Sequence, residues 1–307
     1  MKSYKRNNYM VLAENFYINE NKEKAIDFFK KAFLFDGDEE ESLIILFNIA
    51  LIYEELERFD EAIETYNKVL EIDPNEFEAY FNKALVEEKR GNKEPAITLY
   101  KKSLELNPRF DKAYYNLATI YDEDGDSKKA LMYFKKVLVY NPDDFITYNN
   151  IGSIYEESGD YNKAYKMIEK SIELNPSYYK SLFNMGVVYK RLGNYNKAIE
   201  YYNRSKECNP NYYYIYLNLS SIYIENEEYK KSIDVLTEGI ENNPDAHDLY
   251  YNRACSYSIL NQAEFAIKDI RKAIILNPST IKWLTLDNDF KNLYKNEEFK
   301  KIINEKI

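Results

Sequence analysis

DKAYYNLATIYDEDGDSKKALMYFKKVLVYNPDD (111–144) runs directly into FITYNNIGSIYEESGDYNKAYKMIEKSIELNPSY (145–178). Laid one beneath the other, the segments align Tyr114 with Tyr148, Asn116 with Asn150, Tyr121 with Tyr155, Gly125 with Gly159, Ala130 with Ala164 and Pro142 with Pro176. Each pair is 34 residues apart. Outward from this core, Pro74, Pro108, Pro142, Pro176, Pro210, Pro244 and Pro278 keep the same beat. Each follows Asp73 or an asparagine: Asn107, Asn141, Asn175, Asn209, Asn243 or Asn277. Proline cannot continue a helix and moves the residue before it out of the α region. The prolines therefore mark the ends of repeated helical units, and a fixed period of this length is the signature of a stacked repeat architecture.

Two ladders of small residues share the period. Ala62, Ala96, Ala130, Ala164, Ala198, Ser232 and Ala266 form one; Ala50, Ala84, Ala118, Gly152, Gly186, Ser220 and Ala254 form the other. Small residues in such rows let two helices approach closely. Gly91, Gly125, Gly159 and Gly193 fall between the ladders, where a tight turn with positive φ costs glycine little. With position 1 set by the prolines, repeats are expected at 43–76, 77–110, 111–144, 145–178, 179–212, 213–246 and 247–280. An earlier unit, 6–42, carries Tyr9, Leu12, Ala13, Phe16, Ala25 and Phe29 but lacks the closing proline. Its segment FDGDEEES (35–42) implies a longer acidic turn. Pro95 is out of phase, in the first turn of a second helix, where a missing N–H costs little. The array spans 1–280, and the tail 281–307 departs from it. Trp283, Leu284, Phe290, Leu293, Phe299 and Ile302 are the tail's apolar residues, expected to cover the open end of the stack as a C-terminal capping segment.

These residues carry a resemblance. Tyr148, Ile151, Gly152, Tyr155, Ala164 and Pro176 are similar to the tetratricopeptide repeat (TPR) pattern, as are Tyr114, Leu117, Ala118, Tyr121, Ala130, Phe134 and Pro142. The resemblance implies an all-α fold, an α-α superhelix of eight helix-turn-helix repeats plus the cap. It also implies a non-catalytic protein–protein interaction scaffold or adaptor that binds an extended polypeptide in a concave groove. The alternative is a targeting or regulatory subunit of an enzyme complex whose catalyst is on another chain. The family places positions 2, 5, 6, 9, 12 and 13 of each repeat's first helix on the groove.

Position 6 reads Asn48, Asn82, Asn116, Asn150, Asn184, Asn218 and Asn252. Asparagine is a mediocre helix former, so its repetition asks for a use. An amide offers a donor and an acceptor together and matches one peptide unit. The row either grips a ligand backbone or hydrogen-bonds within and between repeats. Position 5 carries Met10, Phe47, Phe81, Tyr115, Phe183, Leu217 and Tyr251, interrupted by Asn149; these are packing residues or ligand anchors. Glu54, Glu55, Glu88, Asp122, Glu123, Glu156 and Glu157 make positions 12 and 13 acidic, while Lys180, Lys190 and Arg191 reverse the sign in one repeat. The expected partner is another protein or peptide with a basic segment, and with an acidic group near Lys180, Lys190 and Arg191. The family's clamp for chaperone C-termini needs lysine at position 5 and arginine at position 6, neither of which occurs here.

The remaining composition narrows the function. A net charge of −10 disfavours nucleic acid, where Lys and Arg neutralise phosphates, and an anionic membrane surface. There is no run of apolar residues long enough for a membrane span, and the start has no signal-peptide core; a cytoplasmic location is expected. Cys208 and Cys255 read as free thiols, outside metal-ligand spacing. His247, the single histidine, reads as a solvated helix-start residue. One histidine does not supply a nucleophile triad, and no phosphate-binding glycine motif is present. Neither an enzyme, a metal nor a cofactor is expected.

Overall fold

The computed structural model describes residues 2–35 and 37–304, so Asp36 of the acidic turn and the last three residues of the tail lie outside the described residues. The described residues contain helices and no strand. They fall into two compact units, Met1–Asp143 and Asp144–Ile307.

The first unit pairs α1 (Lys2–Ile18) with α2 (Lys22–Phe33), α3 (Glu39–Glu55) with α4 (Phe59–Ile72), α5 (Phe77–Lys89) with α6 (Lys93–Leu106), and α7 (Asp111–Glu123) with α8 (Ser127–Tyr140). The second pairs α9 (Phe145–Glu157) with α10 (Tyr161–Leu174), α11 (Tyr179–Arg191) with α12 (Tyr195–Cys208), α13 (Tyr214–Glu225) with α14 (Tyr229–Asn242), and α15 (His247–Ile259) with α16 (Ala263–Leu276). Within each unit, every helix packs on its partner, and the second helix of each pair packs on the first helix of the next pair. Both small-residue ladders are buried at these crossings. Pro95 is the third residue of α6, inside the first turn.

The punctuation has a local cause. Asp73, Asn107, Asn175, Asn209 and Asn277 each end a helix and accept a hydrogen bond from the N–H two residues on, for example Asp73 Oδ1 from Asn75 at 2.8 Å. A short side chain that caps its own turn is what an Asx-Pro stop requires. The hydroxyls of Tyr80, Tyr114, Tyr216 and Tyr250 then donate back to the carbonyls of Pro74, Pro108, Pro210 and Pro244. At the turn inside each repeat, Gly91, Gly125, Gly159 and Gly193 have positive φ. So do Glu20, Glu57, Glu227 and Asn261 at the equivalent position of the other repeats. The geometry is thus common to all eight helix pairs, and glycine marks only half of them.

Across the same turns, Lys129, Lys163, Lys197 and Lys231 lie over the rings of Tyr121, Tyr155, Tyr189 and Tyr223 at 4.8, 5.3, 4.9 and 5.6 Å. Each such contact contributes roughly 0.5–1 kcal/mol at an exposed site. In the first pair, α1 starts at Lys2, earlier than the repeat boundary at residue 6. Arg6, 1% exposed, donates to the Phe35 carbonyl and the Ser42 hydroxyl and fastens the longer acidic connection. Asp38 caps α3 by accepting from the Glu41 N–H at 2.8 Å.

The tail forms a single turn at Pro278–Thr280, α17 (Ile281–Leu284), a tight turn at Asn288–Leu293 and α18 (Glu297–Asn304). Leu284, Phe290, Leu293, Phe299 and Ile302 are buried against Ala254, Ala266, Ile267 and Ile270. Trp283 departs from the expectation: it is 60% exposed. On so short a helix, Trp283 and Leu284 point about 100° apart, and Leu284 takes the inward direction.

Candidate functional site

In the first unit, α1, α2 and α3 enclose a cavity of about 370 Å³ lined by Glu14, Tyr17, Ile18, Phe29, Asn48, Leu51, Ile52 and Glu55. Glu14, Tyr17 and Ile18 stand at positions 9, 12 and 13 of their repeat, and Asn48, Leu51 and Glu55 at positions 6, 9 and 13 of theirs. Ile18 and Leu51 are exposed, so the lining is apolar with carboxylates at its edge. Glu55 accepts from the Tyr17 hydroxyl at 2.6 Å and pairs with Lys22 at 3.0 Å. The tyrosine hydrogen bond, followed by the lysine, holds its carboxyl below the usual range. Glu14 is exposed.

The seven position-6 asparagines do not share one arrangement. Asn48 and Asn82 are half-buried and their amides have no partner among the described residues. Asn116 donates to the Tyr100 hydroxyl at 3.1 Å, which donates to Glu88 at 2.7 Å. In the second unit, Asn184 donates to Asn149 Oδ1 at 3.0 Å, and Asn150 accepts from Asn149 Nδ2 at 3.5 Å. Asn218 and Asn252 donate to the carbonyls one turn back, Tyr214 and Asp248, at 2.9 and 2.8 Å. Asn218 also accepts from Tyr202 at 3.3 Å.

Two of these partners, Tyr100 and Tyr202, come from position 24 of the preceding repeat, which the periodicity alone does not single out. Where it is tyrosine, at Tyr66, Tyr100 and Tyr202, the ring is buried; the first two hydroxyls reach across their own helix pair and that of Tyr202 reaches the next pair. Tyr66 donates to Glu54 at 2.6 Å, and Lys89 pairs with the other Glu54 oxygen at 3.0 Å. Burial first, then the neighbouring carboxylate, pushes the Tyr66 hydroxyl up, so it remains a donor.

The position-5 aromatics sit in ring clusters. Phe47 meets Tyr66, Phe81 meets Tyr100 and Phe110, Tyr115 meets Phe134, and Phe183 meets Tyr202 and Tyr212, with centroids 4.8–6.0 Å apart. Tyr251 packs on Phe290 and donates to Asp287 at 2.7 Å. Most of these contacts lie within a helix pair, and Phe110 and Tyr212 carry the packing on to the next one. Asn149, where the aromatic row breaks, lies in a buried polar group: Ser181 donates to its Oδ1 at 3.1 Å, and Ser171 meets Ser181 at 2.6 Å.

Charges at positions 12 and 13 pair along the array. Arg191 meets Glu156 at 2.9 Å and Lys190 meets Glu225 at 3.0 Å, so both cations are partly neutralised. Lys180 is exposed. His247 departs from a freely solvated residue: it contacts Asp248 at 2.9 Å through Nδ1 and Asn277 through Nε2. The fold also brings Cys255 beside Asp287 and Asp289. Burial, and then the two carboxylates, push the Cys255 thiol up. The thiol donates to Asp287.

Models of the tetratricopeptide repeat match residues 44–76, 77–110, 99–132, 143–211, 213–246 and 247–280. The chain belongs to the tetratricopeptide repeat family. Its fold is a TPR solenoid of helix pairs. Among solved structures, a tetratricopeptide repeat protein from Parabacteroides merdae superposes with a TM-score of 0.63 at 18% identity, covering 86% of this chain and 98% of that one. The C-terminal part of a TPR repeat-containing protein from Cytophaga hutchinsonii gives 0.59 at 19% identity, over 78% and 99%. Pseudomonas aeruginosa pilF gives 0.57 at 20% identity, over 68% and 96%. At these identities the likeness speaks for the TPR fold alone. No curated protein matches the sequence. No helix among the described residues is long and apolar enough to cross a membrane.

Proposed function

We propose that this TPR protein is a non-catalytic interaction scaffold that holds an extended polypeptide along the first helices of its repeats. One observation carries the reading: six of the eight residues lining the cavity between α1 and α3 stand at the positions the family places on the groove, and its Asn48 amide has no partner among the described residues. A half-buried amide with its donors unused is ready to pair with a peptide group. Ile18 and Leu51 offer apolar surface beside it, and Glu14 and Glu55 favour a basic residue in the bound segment. Lys180 extends the same logic to an acidic group on the ligand. Asn82 repeats the free amide in the next helix pair.

The test exploits the difference among the asparagines. A random peptide library displayed on phage is selected against the intact chain, and the selected peptides are measured against Asn48→Ala with Asn82→Ala. Each lost bond removes about 1 kcal/mol, so the double variant should bind roughly tenfold more weakly or worse, with unchanged helicity. Binding should also fall between about 0.1 M and 1 M salt, where screening shortens to a few ångströms. Peptides that bind the double variant equally well would overturn the reading.

A further inference from the structure

The second unit holds a different cavity, of about 460 Å³, between the start of α15, the turn after α16 and α17. Its walls include Asp248, Tyr251, Trp283, Leu286 and Asp287. Trp283 is the protein's single tryptophan, and it stays 60% exposed while its neighbour Leu284 is fully buried. Leu286 is exposed as well. The lining contains two carboxylates, the imidazole of His247 against Asp248, and neither lysine nor arginine. Asp287 is anchored by the Tyr251 hydroxyl at 2.7 Å and by the Asp289 N–H at 2.9 Å. Asp248 is steadied by His247 and keeps a side chain that is 46% exposed.

We propose that this cavity receives an arginine side chain of a partner protein, its guanidinium stacked on Trp283 and paired with Asp248 and Asp287. Charge complementarity selects the occupant. Two carboxylates reject an anion, and an apolar side chain would strip them of water without replacing their hydrogen bonds. A guanidinium is planar and weakly hydrated; it stacks on an aromatic face and donates in a fork to carboxylates. An ammonium is more strongly hydrated and has no flat face to lay on the indole. None of these residues belongs to the cavity between α1 and α3, so the two readings stand or fall separately.

The single indole makes occupancy directly readable. The intact protein is titrated with acetyl-Gly-Arg-Gly-amide while Trp283 fluorescence is followed, and again with the citrulline peptide, which keeps the shape and lacks the charge. The expected result is a saturable change with the arginine peptide and a half-saturation at least about tenfold higher with citrulline, as befits loss of a charge-assisted pair. Asp248→Asn should raise the arginine half-saturation with the far-ultraviolet circular dichroism unchanged. An absent response, or equal responses to arginine and citrulline, overturns the proposal; the citrulline comparison uses wild-type protein, so folding defects cannot imitate either result.

Discussion

Gly186 faces the ring of Tyr202 so closely that an added Cβ would lie 2.6 Å from its Cε1. Ala50 and Ala84 occupy the same position opposite Tyr66 and Tyr100, whose hydroxyls reach Glu54 and Glu88. In the Gly186 repeat that acidic position is Lys190, and Tyr202 bonds Asn218 instead. Overpacking costs about 1–3 kcal/mol and exceeds the helix propensity that alanine adds. Gly186→Ala is therefore expected to lower stability by about 1 kcal/mol or more in urea unfolding; an unchanged midpoint would show that the ring moves freely. The turn position gives the opposite sign. Glu57 and Glu227 hold φ of 57° and 60°, a conformation that costs a residue with a Cβ about 1–2 kcal/mol. Glu57→Gly should stabilise by roughly 0.5 kcal/mol once the extra freedom of unfolded glycine is deducted. These two positions also show the reach of sequence reading at this scale. The turn glycines were legible because they recur; the four non-glycine residues in the same conformation were not, because nothing in their identity demands it.

Helix starts and the terminal cap set the behaviour of the elements. Asp126 and Asp160 cap α8 and α10 by accepting from the N–H groups of Lys129 and Lys163. The same lysines' side chains, as the larger cause, and these N–H bonds hold both carboxyls below the ordinary aspartate range. A depressed carboxyl contributes stability above its unfolded value, near pH 4, and loses it as the pH falls through its folded one. Asp126→Asn with Asp160→Asn should therefore melt below wild type at neutral pH, with the gap narrowing near about pH 3. A gap independent of pH would assign the effect to packing. At the other end, Phe299 of α18 is fully buried on the last helix pair. Phe299→Ala should cost about 3–5 kcal/mol locally, read as lost hydrogen-exchange protection in α15 and α16. The tail's apolar spacing announced a cap, but which residues face inward followed from the directions of its short helical turns, and Trp283 fell on the outside.

Across the whole molecule, a solenoid's stability is a sum of repeats and nearest-neighbour contacts. Gly186→Ala should accordingly accelerate amide exchange in α9–α14 and leave α1–α4 at wild-type protection; uniform acceleration would mean that the chain unfolds as one cooperative block. The sequence by itself determined the period, the helix stops at the prolines and the small residues at helix crossings, because proline, Asx caps and close packing are local or strictly periodic demands. It also named the asparagine row. Only the tertiary structure decided what each asparagine does: Asn48 and Asn82 have no partner among the described residues, Asn116 and Asn218 are tied to tyrosines from the preceding repeat, and Asn184 is held by Asn149. Asn116, Asn184 and Asn218 are set apart by partners in the neighbouring repeat, and a repeat's own sequence does not contain its neighbour's side chains. The cavity around Trp283 has the same origin, since residues 247–251 and 277–287 meet only once the cap has folded onto the last helix pair.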